Sequence, residues 1–87
     1  MKYQIWYSPQ SEKYLARLTP SKINAILGKM QYVSLDPFKS DNNIVKLSGT
    51  IASFRLRIGD LRIIYSLDIQ SKSIYIVKIA PRGAVYS

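Results

Sequence analysis

The segment Phe54 to Tyr65, F-R-L-R-I-G-D-L-R-I-I-Y, constrains this chain more than any other, because its alternation around a central Gly59-Asp60 pair dictates a β-hairpin. Gly accepts positive φ and Asp tolerates it, as a two-residue hairpin loop requires. That turn sets Ile58 opposite Leu61, Arg57 opposite Arg62 and Phe54 opposite Tyr65, and the period of two then sorts the side chains into two faces. One face carries Phe54, Leu56, Ile58, Leu61, Ile63 and Tyr65; the other carries Arg55, Arg57, Arg62 and Ile64. Like charges directly opposite on a ladder are destabilising, by a few tenths of a kcal/mol to about 1 kcal/mol. Arg57 opposite Arg62 therefore favours an anionic ligand, and a phosphate backbone fits.

The rest of the composition narrows the chemistry. There is no Cys and no His, which removes zinc fingers, thiol nucleophiles, histidine acid–base catalysis and any catalytic triad. Proton transfer is left to Lys, Tyr or a carboxylate, with Arg as electrostatic support. Thirteen Lys and Arg against five Asp and Glu give a net charge of +8 without a long run of one sign. The charge belongs to the folded domain, and steers it toward nucleic acid, an acidic protein or an anionic membrane surface. At 87 residues the chain reads as a single domain, 1–87, able to bury roughly 60 to 65% of its extended surface without disulfides or metal. No run of 18 apolar residues and no signal-peptide pattern is present, so a cytoplasmic protein is expected.

Along the chain, Tyr3, Ile5 and Tyr7 alternate with Gln4 and Trp6 as a first strand. Ser8-Pro9 then gives an N-cap and a first-turn proline, and Ser11, Tyr14, Leu15 and Leu18 fall at helical spacing. Thr19-Pro20 repeats the start signal; Ile23, Ile26, Leu27, Met30 and Val33 continue a stripe until Asp36-Pro37 ends it. A polar connection from Phe38 to Asn43, expected to be mobile, leads to Ile44–Leu47 and a Ser48-Gly49 turn. After the arginine hairpin, Ser73–Ala80 is nearly all apolar, the pattern of a strand covered on both faces, with Lys78 as its exception. The order reads β-α-α-β-β-β, an α+β arrangement with an N-terminal helix hairpin packed on one face of a curved antiparallel sheet. If the helices cover the Phe54, Leu56 and Ile63 face, the arginine face is left to solvent.

Taken in order, the Lys46-Leu47-x-Gly49 segment, the Phe54–Tyr65 hairpin and the Arg82-x-x-Val85-Tyr86 ending resemble the RelE/ParE superfamily of toxins from bacterial and archaeal toxin–antitoxin pairs. The resemblance spans essentially the whole chain, and the combination is more specific than any one piece. RelE-type members cut mRNA in the ribosomal A site, whereas ParE-type members share the fold and poison DNA gyrase. The RelE branch is favoured, because Arg55, Arg57, Arg62, Arg82 and Tyr86 occupy positions that correspond to its working residues.

The resemblance implies a metal-independent endoribonuclease without cofactor, in which the 2′-OH of the mRNA attacks the adjacent phosphate. Arg57, Arg62 and Arg82 would clamp the phosphate oxygens, Arg62 first among them, and Tyr86 would stack on a base, orient the 2′-OH or take its proton. Arg55 would reach flanking phosphate or ribosomal RNA, and Lys46 would donate to the leaving group or only hold a phosphate. Some relatives carry Lys where this chain has Arg55 and Arg57, and Arg cannot accept a proton at neutral pH. The implied partners are the ribosome, mRNA and a cognate RelB-like antitoxin in a hetero-oligomer.

Purely structural roles compete with each assignment. Arg55 and Arg57 can pair with Asp60 and Asp68, and Tyr86 can be a packed terminal residue. Tyr3, Trp6, Tyr7, Tyr14 and Tyr75 fit core or rim positions better than stacking groups. Lys13, Arg17, Lys22 and Lys29 read as solvated helix-face charges. A ParE-like gyrase inhibitor and a non-catalytic basic module binding RNA or ribosomes stay open as alternative functions.

Overall fold

The computed structural model describes residues 2–38, 43–47 and 52–81. In chain order the elements are β1 Gln4–Tyr7, α1 Pro9–Leu15, α2 Pro20–Leu35, β2 Ile44–Lys46, β3 Ser53–Ile58, β4 Leu61–Asp68 and β5 Ser73–Pro81. The expected α+β class and the helices on one sheet face are present. The strand count is one greater, β-α-α-β-β-β-β, because Ile44–Lys46, both hairpin arms and the last segment each form a separate strand. The expected loop residues 39–42 and the Ser48-Gly49 turn lie outside the described residues.

Both helices start where the local chemistry says they must. Ser8, extended at φ −66° and ψ 159°, accepts the Ser11 N–H on its Oγ at 3.1 Å, and Pro9 opens the first turn. Thr19 does the same for the Lys22 N–H at 3.3 Å, ahead of Pro20. These caps satisfy backbone donors that a helix N-terminus leaves open. Asp36 closes α2, its Oδ1 accepting the Phe38 N–H at 3.3 Å.

The sheet order is β1-β5-β4-β3-β2. Strands β2 to β5 form an antiparallel meander, whereas β1 joins the outer edge of β5 in parallel, pairing Gln4 with Ser73 and Tyr7 with Ile76. The sheet is therefore mixed rather than wholly antiparallel. A hairpin loop can only reverse the chain, but β1 is separated from β5 by the rest of the molecule and is free of that constraint.

Ile26, Met30 and Val33, at i, i+4 and i+7 of α2, pack against Leu56, Ile63, Tyr65, Leu67, Ile74, Ile76 and Ile79. Burying each large side chain contributes about 1.5–3 kcal/mol. Phe54 and Tyr65 stack across the hairpin with ring centroids 5.5 Å apart. This core covers one face of the sheet. On β5, where the apolar run suggested two covered faces, Tyr75 and Val77 are exposed, because the core-forming helix α2 and its apolar partners lie on the other side. Among the described residues no helix is long and apolar enough to cross a membrane.

Candidate functional site

The hairpin register is as the alternation requires: Ile58 opposite Leu61, Arg57 opposite Arg62, Leu56 opposite Ile63, Arg55 opposite Ile64 and Phe54 opposite Tyr65. Gly59 makes the turn at φ +57°. Directly paired residues share a face, so Arg55, Arg57 and Arg62 are gathered on the side opposite the core. Together with Asn43 and Val45 they line a concavity of about 90 Å³.

The three arginines are not equivalent. Arg57 is exposed; its Nη2 donates to Asn43 Oδ1 at 3.2 Å and its backbone N–H to the Asn43 carbonyl at 2.8 Å. Arg62 was expected at a solvent-facing position, yet only 7% of its surface is exposed. It sits on the central strand β4, flanked by Arg57 on β3 and Ala80 on β5, and its Nη1 donates to the Leu61 carbonyl at 3.3 Å. A guanidinium withdrawn from water in this way keeps its charge, and its attraction for an anion is less screened. Arg55 is half-buried between these extremes of exposure. Asp68, an expected ion-pair partner for the hairpin, accepts the Ser71 N–H at 3.3 Å in the β4–β5 turn.

Lys46 is not brought to this cluster. Its register partner is Phe54, while Val45 pairs with Arg55, so Lys46 projects on the core side of the edge strand, where it is exposed. Arg82 and Tyr86 lie outside the described residues; the last strand carries the chain as far as Pro81, with Ala80 beside Arg62.

Two residues escaped the sequence reading. Asn43 lies in the connection before β2, as its polar surroundings imply, and its side chain holds Arg57. Lys78 pairs with Ile64, whose other neighbour is Arg55, so it lies on the basic face. A bulge puts it there: β4 residues Ile64 and Tyr65 pair with Lys78 and Ile76, leaving Val77 extra on β5. Without the bulge, with Val77 paired in register, strict alternation from Ile76 would turn Lys78 into the core. The only sequence signal was a single charge within an apolar run.

No protein-family model and no curated protein matches the chain. Among solved structures, RelE in the archaeal RelE–RelB complex from Pyrococcus horikoshii is 31% identical, with 97% of this chain and 99% of that chain aligned at a TM-score of 0.85. The chain belongs to the RelE toxin family. The RelBE2 complex of Mycobacterium tuberculosis superposes at a TM-score of 0.76, with 20% identity over 94% of this chain and 93% of that one. The isolated Escherichia coli RelE toxin gives 0.77, with 17% identity over 97% and 90%. In this RelE-family chain the arginine hairpin thus sits within a fold retained at low identity.

Proposed function

We propose that this chain is the toxin of a RelBE-type pair and acts as a ribosome-dependent mRNA endoribonuclease. The observation that carries the proposal is the concavity lined by Arg55, Arg57 and Arg62, in which a desolvated guanidinium stands beside an exposed one. In the reaction, the 2′-oxygen bonds to the adjacent phosphorus while the bond to the 5′-oxygen of the next nucleotide breaks. The 2′-OH loses its proton to a base and the 5′-oxygen gains one, giving a 2′,3′-cyclic phosphate and a 5′-OH end. Negative charge builds on the phosphoryl oxygens, and Arg62 is assigned to meet it, at about 10²- to 10³-fold in rate by analogy with oxyanion donors.

Arg57 and Arg82 hold neighbouring oxygens bidentately and align the attack. Arg55 holds a flanking phosphate. Tyr86 is the candidate to orient the 2′-OH or accept its proton, because the arginines cannot. Lys46, on the other face, contributes only general attraction to RNA. The partner in the resting state is a RelB-like antitoxin, by likeness to the RelE–RelB and RelBE2 complexes. A ribosome-directed toxin works in the cytoplasm.

Primer extension on mRNA in a defined ribosome complex tests the reading. Cuts within the A-site codon by the wild type, and none by a folded Arg62→Ala variant, are expected; intact mRNA at stoichiometric wild-type protein would contradict it. A Tyr86→Phe variant in the same assay shows whether the Tyr86 hydroxyl is needed, as either of its two roles requires.

A further inference from the structure

The open face of the sheet continues past the arginines. Trp6 of β1 lies beside Tyr75 of β5 in the parallel register, and Tyr75 pairs with Ser66 of β4. The next row on the same face is Lys78, Ile64, Arg55 and Val45, and the one after it Ala80, Arg62 and Arg57. These rows carry three arginines and a lysine and no carboxylate. At their other end Trp6 is 49%, Tyr75 42% and Val77 50% exposed. Trp is highly buried on average, and here the Trp6 ring and the adjacent Tyr75 ring are both left open at one edge of a basic surface.

The arrangement is built rather than incidental. The bulge turns Val77 and Lys78 outward together. Where β1 ends at Tyr7, α1 takes over the exposed edge of β5: Ser8 Oγ donates to the Val77 carbonyl at 2.8 Å, and the Ser8 N–H to the Ile76 carbonyl at 2.9 Å. The irregular backbone under the patch is thereby satisfied. With strands about 4.8 Å apart and about 3.3 Å per residue, Tyr75 is about 12 Å from Arg55 along the surface. Lys78 shares the strand of Tyr75 and the row of Arg55.

We propose that Trp6 and Tyr75 form a stacking platform for unpaired bases of a single-stranded RNA whose phosphates are held by Lys78 and Arg55. The RNA track then runs from the arginine concavity across the open face to β1. Single-stranded RNA is the occupant that fits both halves of the surface, since its backbone matches the positive rows and its bases match the rings. Sheet faces with aromatic side chains read unpaired bases in this way, and base–aromatic stacking is tolerant of sequence. The proposal rests on reading the arginine concavity as an RNA phosphate site, and it extends that site by three residues, Trp6, Tyr75 and Lys78, with no part in the chemistry.

The chain's single tryptophan makes the test direct. A short single-stranded oligoribonucleotide, with 2′-O-methyl groups to prevent cleavage, is titrated against the protein while indole emission and the anisotropy of a dye on the RNA are followed. Saturable quenching of Trp6 is expected, with polyphosphate competing for binding but leaving the emission unquenched when it binds alone. Trp6→Ala and Tyr75→Ser should each weaken RNA binding about tenfold while leaving polyphosphate binding unchanged; Arg55→Ala should weaken both. RNA that binds without quenching, and equally well to the Trp6 and Tyr75 variants, overturns the platform but leaves the arginine site standing, and reassigns the patch to a protein partner. Absence of any RNA or polyphosphate binding removes the platform and the phosphate site together.

Discussion

Arg57 and Arg62 occupy directly opposed positions on the β3–β4 ladder, and one is exposed while the other is almost fully buried. Such a pair is held together by the hairpin against its own repulsion. A bound phosphate or sulfate relieves that repulsion, and a ligand that binds only the folded state raises its stability. Phosphate should therefore raise the melting temperature above that in chloride at matched ionic strength. Arg57→Gln should lose most of this anion effect and, in chloride, be as stable as the wild type or up to about 1 kcal/mol more stable. Equal melting curves in both salts would contradict the anion site.

A second relationship fixes β5. Gln10 Nε2 donates to the Ile79 carbonyl at 3.0 Å, and Gln10 Oε1 accepts the Ile79 N–H at 3.2 Å. One side-chain amide thus replaces the strand that β1, ending at Tyr7, does not supply. Gln10→Ala should destabilise by about 1–2 kcal/mol in urea unfolding, with Gln10→Glu, which keeps only the acceptor, in between. Amide exchange at Ile79 should accelerate in both variants. Unchanged exchange would show that the pairing contributes nothing.

Gly59 sits at φ +57°, and a Cβ placed there meets nothing within 4 Å. The loss in Gly59→Ala is consequently backbone strain alone, about 1 kcal/mol, and Gly59→Asn should recover part of it. A loss several times larger in thermal unfolding would mean that the turn has other partners.

Burial raises the Tyr7 phenol above its ordinary value of 10.0. The folded state then holds this proton more tightly than the unfolded state. Its contribution is fully present below pH 10 and is lost as pH rises from there through the raised folded value. Tyr7→Phe should accordingly show a shallower alkaline decline in stability than the wild type, and no change in slope near neutrality. A steeper alkaline decline would reverse the sign of the assignment.

What was legible in the sequence was local. The Gly59-Asp60 turn determines the hairpin register because only two residues separate the arms. Ser8-Pro9 and Thr19-Pro20 mark helix starts because capping needs nothing beyond the next turn. Non-local pairings were not legible. Nothing within Lys2–Tyr7 indicates a parallel partner at the far end of the chain, and the bulge at Val77, which keeps Lys78 on the basic face, exists only relative to β4. Lys46 was grouped with the arginines by motif, but the β2–β3 register turns it the other way. The burial of Arg62 follows from its place on a central strand, which the hairpin alone does not specify.

The central claim is that the arginine face carries the chemistry. Single-turnover cleavage in a programmed ribosome complex, with folding of each variant verified by circular dichroism, tests it most directly. The rate should fall by about 10²- to 10³-fold in Arg62→Ala, remain well below wild type in Arg62→Lys, which keeps the charge but not the bidentate fork, and change at most a few-fold in Lys46→Ala. Equal loss on both faces, or full activity in folded Arg62→Ala, would contradict the account.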